Sequence, residues 1–289
     1  MMSPYDDRDG SIWMDGKLVN WRDAKVHILT HAIHYGSSVF EGERAYGGKI
    51  FESRKHSKRL IESANYLDIP LRLSVDDIEM AKKTILETSE AKDLYVRAIV
   101  WRGSGLDMGV ASARNKVHMA VAAWEWGAYY GEAKMKGANL DISKWKRPSP
   151  ETIPSFAKAS GLYMICTISK HEAEAKGCSD ALMLDYRGYV AEATGANIFF
   201  VKNGVVYTPT PDCFLNGITR QTVISILKEK GVQIVERHIK LSELESFQEC
   251  WLTGTAAEVT PVASIGNFSF DVGLLTKDVV SSYDKLVRL

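Results

Sequence analysis

The chain has 289 residues, 45% of them hydrophobic, so it is long enough to bury a sizeable core. At about 150 residues per domain, this length predicts two domains. The 36 basic and 36 acidic residues cancel to a net charge of +0. Such a chain lacks the broad positive field that binding to nucleic acid or an anionic membrane requires, so we expect small-molecule partners.

Cysteine usage and N-terminal composition indicate the cellular compartment. The four cysteines lie far apart and form no CxxC pair, which is typical of reduced thiols in the cytoplasm. The opening residues are polar and acidic, unlike the apolar run of a signal peptide. No stretch of about 18 apolar residues is present that could span a bilayer. We therefore expect a soluble, cytoplasmic protein.

Residues 1–125 are predicted to form a small α+β domain. It begins with two hairpins that turn at Asp15-Gly16 and Gly47-Gly48, dipeptides that favour tight turns. Apolar residues then recur at helical spacing in two segments, and Ser74 is suited to cap the second helix. The predicted helices begin at Arg54 and Val75, and two further strands cover 94–101 and 117–126.

Residues 126–136 contain two glycines and no clean period, and they are predicted to link the domains. Residues 137–289 then form the larger domain. Its predicted elements are, in order, a strand at 140–145, a helix from about Gly161 to Gly177, four hairpin-linked strands, a helix from about Thr219, a strand from Cys250 and a C-terminal amphipathic helix.

Lys158 is the first candidate for chemistry. It lies in TIPSFAKASG, between a proline turn and a helix, where small neighbours leave space around its amine. A lysine that loses its proton readily can attack an aldehyde carbon, because only the neutral amine is nucleophilic. By position alone, a solvated surface lysine is the more common case.

Glu192 is a candidate partner for a cofactor ring. It lies between two alanines in YVAEATGANIFF, on a strand whose alternation places it partly inward. A carboxylate in that setting needs a cation or a donor, or it faces a ligand. In a pyridoxal enzyme, the cation is the protonated ring nitrogen. The alternative is an edge glutamate that faces water.

Three places are suited to hold a phosphate. FLNGITRQTV puts Ile218 and Thr219 in the first turn of a helix, where unpaired N–H groups and the helix dipole attract anions. The alternative interpretation of the same segment is an ordinary helix that is capped by a threonine. The segment TGTAAE is the second candidate for phosphate binding, because it combines the hydroxyl of Thr255 with the small residue Ala256. Arg59, on the first predicted helix, is either a bidentate phosphate donor or a solvated helix residue.

Arg97 is a candidate for substrate binding, because it interrupts an otherwise apolar strand and a buried guanidinium must be paired. Its expected partner is an acidic ligand or the hydroxyl of Tyr95, two residues away on the same face. Several aromatic residues near these segments either line an apolar pocket or belong to the core. They are Tyr35, Phe40, Trp124, Trp126, Tyr129, Tyr130 and Tyr163.

Two further motifs do not predict a site. His31 and His34 are three residues apart, as metal ligands on a helix can be, but no second pair completes such a site. GSG at 103–105 lacks the strand and helix that flank a dinucleotide-binding loop. We therefore expect no metal and no dinucleotide.

Seven segments in chain order carry a family resemblance: HAIHYGSSVFEG, HSKRL, YVR, TIPSFAKASG, YVAEATGANIFF, LNGITR and TGTAAEVTPV. They resemble the branched-chain amino acid aminotransferases, which are fold-type IV pyridoxal-phosphate enzymes. The match extends through nearly the whole chain, and the combination of motifs is far more specific than any one of them. It implies a small N-terminal α/β domain and a larger, β-rich C-terminal pseudo-barrel domain with helices.

The resemblance implies roles at the cofactor pyridoxal 5'-phosphate. Lys158 would bind it covalently and move the proton between substrate and cofactor. Glu192 would hold the ring nitrogen, and Tyr163 would bond the ring oxygen. A phosphate cradle would come from Arg59, Ile218, Thr219 and Thr255. The residues predicted to bind the cofactor are thus Arg59, Lys158, Tyr163, Glu192, Asn197, Ile218, Thr219 and Thr255.

The implied reaction moves an amino group from leucine, isoleucine or valine to 2-oxoglutarate in two half-reactions. One pocket must then accept both an aliphatic side chain and a carboxylate. Arg97 would bind the carboxylate together with Tyr35 of the partner subunit, so a homodimer is the smallest expected assembly. The residues predicted to bind substrate are Tyr35, Phe40, Tyr95, Arg97, Trp126, Tyr129, Thr255 and Ala256, with Tyr163 beside the aliphatic chain.

Two departures from the family pattern concern the substrate. Ala98 stands where a proline is common, and the loop GSGLDMGV is one residue longer than usual, with Asp107 ahead of Met108. Alternatives of the same fold are a D-amino acid aminotransferase, an (R)-amine transaminase and aminodeoxychorismate lyase. Arg97 and the absence of an Arg-x-His pair in 102–110 favour the branched-chain interpretation. The intact lysine, glutamate and phosphate segments disfavour a non-catalytic binding module.

Overall fold

The structure is a computed structural model and describes residues 3–126 and 135–289. Backbone contacts divide the chain into two compact units. The N-terminal unit contains the residues up to Trp126 together with Ala157–Gly161, and the C-terminal unit contains the remainder. The short segment with Lys158 therefore belongs to the N-terminal unit. The domain boundaries at 1–125, 126–136 and 137–289 stay a prediction.

The N-terminal unit contains a seven-stranded antiparallel sheet. Its strands are β1 (Ser11–Met14), β2 (Lys17–Asn20), β3 (Ser38–Phe40), β4 (Glu43–Tyr46), β5 (Lys49–Ile50), β6 (Leu94–Arg102) and β7 (Val117–Glu125). They lie in the order β2-β1-β7-β6-β4-β5, with β3 also paired to β6. Both hairpins expected from the sequence are present, with turns at Asp15-Gly16 and Gly47-Gly48.

Helices cover part of this sheet. They are α1 (His31–Tyr35), α2 (Ser53–Tyr66) and α3 (Val75–Leu86). The helices α2 and α3 pack on each other, with α2 against β3 and α3 against β1 and β7. Ser74 caps α3 as expected, because its hydroxyl accepts the Asp77 N–H while the Asp77 carboxylate accepts the Ser74 N–H.

The central strand β6 contributes to both the core and the candidate site. Val96, Ala98 and Val100 are fully buried, whereas Tyr95 and Arg97 point to the opposite face because side chains alternate along a strand. Nine consecutive residue pairs join β6 to β7 without a bulge. A slip of one residue would move Arg97 into the core, so this register determines which face carries the charge.

The C-terminal unit contains a nine-stranded mixed sheet. Its strands are β8 (Ala138–Ile142), β9 (Asp180–Leu184), β10 (Val190–Ala193), β11 (Asn197–Lys202), β12 (Val205–Thr208), β13 (Ile234–Glu236), β14 (Glu249–Gly254), β15 (Glu258–Ile265) and β16 (Phe268–Ser269). They lie in the order β10-β9-β8-β15-β14-β11-β12-β13, with β16 paired to β15. Parallel pairs are β8 with β9, β8 with β15, and β12 with β13.

Three helices belong to this unit: α4 (Met164–Ala175), α5 (Ile218–Glu229) and α6 (Leu274–Val287). They pack on the strands, with α4 on β9 and β8, α5 on β14, and α6 on β15 and β14. The helix expected from Gly161 begins later, after a 3-10 turn at Ser160–Tyr163, since glycine has low helix propensity. No helix in the described ranges is long and apolar enough to cross a membrane.

Aromatic rings lie in the interior of the C-terminal sheet. Phe199 and Phe200 are fully buried. Phe199 lies opposite Trp251 in the β11–β14 pairing, and their rings stack with centroids 5.5 Å apart. The strand expected at 140–145 ends early, because the Ser143 hydroxyl accepts the Trp145 N–H and turns the chain.

Candidate active site

Lys158 lies on a segment whose backbone is fixed within the N-terminal unit. Its N–H donates to Ser63 Oγ at 3.0 Å, and its carbonyl accepts the Phe40 N–H at 3.1 Å. Ala157 and Ala159 on either side are buried, whereas Lys158 itself is half-buried. The backbone is thus held in place while small neighbours leave room for the long side chain.

Two basic side chains of the same unit lie near the Phe40 ring. The Arg97 guanidinium carbon is 4.6 Å from the centroid of the Phe40 ring, and Lys158 Nζ is 4.9 Å from it. Arg97 Nη2 donates to the Tyr95 hydroxyl at 3.3 Å, the partner expected from their spacing. Arg97 Nε is buried and has no hydrogen-bond partner in the described part of the chain. A guanidinium in this condition favours an acidic ligand.

The position of the Tyr95 hydroxyl depends on a missing side chain. A Cβ atom on Gly42 would lie 2.1 Å from Tyr95 Oη, so only glycine fits there. The Tyr95 ring packs against Trp124 and Trp126, with centroids 5.1 Å and 4.9 Å away. Aromatic packing therefore sets the plane of the ring, and Gly42 admits its hydroxyl. Tyr129, also expected near this pocket, is outside the described residues.

Arg59 is held by a buried carboxylate that the sequence analysis missed. Its Nε and Nη2 donate to the two oxygens of Glu41 at 2.6 Å and 2.8 Å, and His56 Nδ1 lies 2.7 Å from Glu41 Oε2. Burial alone would raise the pKa of Glu41, but Arg59 and His56 outweigh it and hold that pKa well below its usual range. The paired bonds fix the plane of the Arg59 guanidinium.

A sequence signal for Glu41 does exist. The acid follows the apolar run Val39-Phe40, on a stretch where a buried carboxylate needs cations. Two residues on α2 contact it: Arg59 supplies the cation, and His56 supplies a ring nitrogen. Their spacing of three residues puts both on one helix face.

Tyr35 and His31 attach α1 to the long loop after β6. The Tyr35 hydroxyl donates to the Met108 carbonyl at 2.7 Å. His31 Nε2 lies 3.3 Å from the Val110 carbonyl, and Nδ1 lies 2.7 Å from Ser37 Oγ. Both ring nitrogens of His31 therefore bond to the protein. The long loop after β6 is therefore joined to α1 by hydrogen bonds from Tyr35 and His31.

Glu192 is buried in the C-terminal unit at 8% exposure, so the alternative of a water-facing edge glutamate is wrong. Asn197 Nδ2 donates to its Oε2 at 3.1 Å, and Arg147 Nε lies 3.4 Å from Oε1. Arg147 is itself buried and donates to Cys166 Sγ at 3.3 Å. The carboxylate therefore has a cation on one side and an amide donor on the other.

Arg147 is the second residue that the sequence analysis missed. Burial is the largest effect and lowers the pKa of its guanidinium, but Glu192 and further neighbouring groups together outweigh burial and raise that pKa. Burial also raises the pKa of the Cys166 thiol to about 11, against the opposing effect of Arg147. No local signal marks Arg147, since KWKRP has the composition of a solvated basic loop.

The segments predicted to hold a phosphate include a helix start without a side-chain cap. Helix α5 begins at Ile218 after Gly217, and no side chain caps it, so the alternative of a threonine-capped helix is wrong. Ile218 and Thr219 are buried in its first turn. Thr255 lies in the turn between β14 and β15, where a Cβ on Gly254 would approach the Gly195 carbonyl to 3.3 Å.

A cavity of about 210 Å³ lies beside this turn. Tyr163 and Cys166 line one side of it, and Gly195 and Ala256 line another. Tyr163 is the last residue before α4, so its ring is placed by the start of that helix. The cavity brings Tyr163 together with Ala256, two residues that the resemblance assigns to one pocket.

Comparison with known proteins relates this arrangement to a family. Residues 38–265 match the family model described as amino-transferase class IV. The chain belongs to the class IV aminotransferase family. A branched-chain-amino-acid aminotransferase of Pseudomonas aeruginosa is 40% identical over 289 residues, covering 97% of this chain and 94% of the relative. That of Escherichia coli K12 is 38% identical over 269 residues, covering 91% and 87%. The resemblance inferred from the motifs is confirmed.

Solved structures agree with this assignment. The crystal structure of Escherichia coli branched-chain amino acid aminotransferase superposes with a TM-score of 0.93 at 34% identity, covering 97% of this chain and 95% of that one. The branched-chain amino acid aminotransferase from Thermobaculum terrenum in its PLP form, a holo form, gives a TM-score of 0.88 at 26% identity, covering 96% and 94%. The expected fold-type IV class is confirmed.

Proposed function

We propose that this protein is a branched-chain-amino-acid aminotransferase that uses pyridoxal 5'-phosphate to move the amino group of leucine, isoleucine or valine to 2-oxoglutarate. The observation that carries the proposal is the buried Glu192 carboxylate between Arg147 and Asn197, in a chain that keeps the family's lysine segment. Relatives of this activity at about 40% identity over the full length support it.

The described residues fit the cofactor. Helix α5 starts without a side-chain cap, so its first-turn N–H groups suit a phosphate. Arg59 is oriented by Glu41, and Glu192 is a buried anion suited to a protonated ring nitrogen. When bound, the cofactor supplies an electron sink for the charge left at the α carbon when its proton departs.

Each step then requires a defined action by a side chain. Lys158 Nζ, which lies 4.9 Å from the centroid of the Phe40 ring, would remove the α proton of the amino acid and later return a proton. By the family resemblance, Glu192 would hold the proton on the ring nitrogen, and Tyr163 would bond the ring oxygen. The Ile218 and Thr219 backbone, Arg59 and Thr255 would hold the phosphate, and Asn197 would complete the cofactor site.

The same pocket must accept two kinds of substrate. Arg97 would bind the side-chain carboxylate of glutamate, since its buried Nε has no hydrogen-bond partner among the described residues. Tyr95, Thr255 and Ala256 would receive the α-carboxylate. The aliphatic chain of leucine would contact aromatic rings. These are Phe40, Trp126, Tyr129 and Tyr163.

We also propose a homodimer in which Tyr35 of the partner subunit completes the site. Exposed apolar side chains on the N-terminal unit support this proposal, because a monomeric protein does not require so many of them at its surface. They are Val26, Ile28, Leu29, Ile33, Leu106 and Val110. A cavity of about 340 Å³ with apolar lining residues such as Ile12, Ile33 and Ile99 lies on the same unit. Sedimentation of the wild type as a monomer at assay concentration would remove this proposal. The cytoplasmic location stays a prediction.

The decisive assay supplies L-leucine and 2-oxoglutarate and measures glutamate. The purified protein should show a visible cofactor band that borohydride bleaches. Lys158→Ala should keep the fold and lose both the band and turnover, while Lys49→Ala, an exposed lysine on β5, should behave as wild type. Absence of glutamate combined with turnover of D-alanine or aminodeoxychorismate would favour one of the same-fold alternatives.

A further inference from the structure

Asn197 connects the two ends of the proposed cofactor site. Its Nδ2 donates to Glu192 Oε2 at 3.1 Å and to the Leu215 carbonyl at 3.0 Å. Its Oδ1 accepts the Gly217 N–H at 3.1 Å. One buried amide thus bonds to the ring-nitrogen carboxylate and to the loop that leads into α5.

These three bonds leave the amide one orientation. A flipped amide would put its oxygen against the Glu192 carboxylate and the Leu215 carbonyl, which are both acceptors. It would also put its NH₂ group against the Gly217 N–H, which is a donor. The orientation of Asn197 is therefore determined by its partners, and each partner is in turn held by Asn197.

Gly217 is required by contact rather than by backbone conformation. Its φ of −58° is open to any residue, yet a Cβ there would lie 2.3 Å from Asn197 Oδ1. The loop therefore approaches the amide closely only because residue 217 has no side chain. An alanine at 217 must displace Asn197 or the start of α5.

We infer that Asn197 is a positioning residue that couples the Glu192 carboxylate to the phosphate-binding start of α5. This inference rests on the proposed function. A change at either end is transmitted to the other through one side chain. The ring nitrogen and the phosphate are consequently held in mutual register by the protein itself.

The test uses the holoenzyme with two variants that disturb the link from opposite sides. In Asn197→Asp, the oxygen that replaces Nδ2 lies 3.1 Å from a Glu192 oxygen, and two such carboxylates repel each other. Gly217→Ala pushes on Asn197 from the phosphate side. Asn65→Asp, at an exposed position of α2, is the matched control.

Two signals report the two ends: the ³¹P resonance of the bound cofactor and the pH midpoint of its visible absorption band. Asn197→Asp should change both signals and weaken cofactor binding about 10- to 100-fold, the effect of losing a hydrogen bond to a charged group. Gly217→Ala should change the band midpoint as well as the ³¹P signal, although residue 217 is at the phosphate end. Thr219→Val, which keeps the backbone N–H, should change the ³¹P signal alone.

The outcomes separate this inference from the function on which it rests. Wild-type protein without any cofactor band would overturn the proposed function. A wild-type band with unchanged signals in Asn197→Asp, or a Gly217→Ala variant that changes only the ³¹P signal, would overturn the coupling. If circular dichroism shows that Asn197→Asp is unfolded, the Gly217→Ala variant alone decides whether the two ends are coupled.

Discussion

The guanidinium of Arg59 and the carboxylate of Glu41 form two parallel hydrogen bonds, 2.6 Å and 2.8 Å long, in the interior of the N-terminal unit. Arg59 is a proposed phosphate ligand, whereas Glu41 is fully buried and has no access to a ligand of its own. Arg59 is therefore the residue proposed to bind the phosphate, and Glu41 fixes the direction of its guanidinium.

Replacing Glu41 by glutamine should release Arg59. Removing one charge of a buried ion pair costs about 3–5 kcal/mol of stability. We therefore expect a lower free energy of unfolding and weaker cofactor binding. Urea unfolding and cofactor titration measure the two effects. Glu62→Gln, at an exposed position of the same helix, should change neither. If Glu41→Gln binds the cofactor with wild-type affinity, Arg59 does not depend on Glu41 for cofactor binding.

The same residue gives a pH dependence with a defined sign. The pKa of Glu41 in the folded protein lies below its ordinary value of 4.5, so the folded state binds the proton less readily than the unfolded state. Its stabilisation is present above pH 4.5 and is lost as the pH falls towards the folded pKa. Unfolding free energies measured from neutral pH into acid should therefore fall less steeply for Glu41→Gln than for wild type. Parallel curves would contradict the charged state assigned to Glu41.

Gly42→Ala should disturb substrate binding through Tyr95. The added Cβ would lie 2.1 Å from the tyrosine hydroxyl, and overpacking of this kind costs about 1–3 kcal/mol. We expect a raised KM for both substrates, measured in steady-state kinetics. Tyr95→Phe, which removes the hydroxyl without the clash, should raise KM with little loss of stability. An unchanged KM in both variants would exclude the hydroxyl from substrate binding.

Arg147→Met should lower kcat while the fold is kept, since methionine fills similar space without the charge. Glu192 would retain Asn197 but lose its neighbouring cation. Partners of catalytic ligands typically contribute about 10- to 100-fold, and we expect a decrease in that range. Lys146→Met, at the exposed neighbouring position, is the control. If both variants retain wild-type kcat, the charge of Arg147 does not support the reaction.

Arg97→Met should separate the two half-reactions. Loss of a charged hydrogen bond to the distal carboxylate should weaken 2-oxoglutarate and glutamate about 10- to 100-fold. Leucine has no such carboxylate, so its half-reaction, followed in a single turnover, should remain close to wild type and acts as the internal control. Equal losses for leucine and glutamate would assign Arg97 a structural role.

Local pattern was enough for the elements, whereas the residues proposed to contact the cofactor came from the family resemblance. The hairpin dipeptides, the periodic helices and the cap at Ser74 are properties of neighbouring residues, and the structure reproduces them. The seven motifs together also identified the family, which the full-length relatives confirm. Helix and strand ends were less accurate where a glycine or a serine turn ended an element.

The supporting residues were decided only by tertiary structure. Glu41 and Arg59 are 18 positions apart, and Arg147 and Glu192 are 45 apart, so no periodicity links either pair. A buried charge is stable only with a partner brought to it by the packing of separate elements. Sequence alone therefore predicted which residues carry the chemistry. The folded chain determined which other residues hold them in place, because desolvation makes such pairings obligatory only after the core has formed.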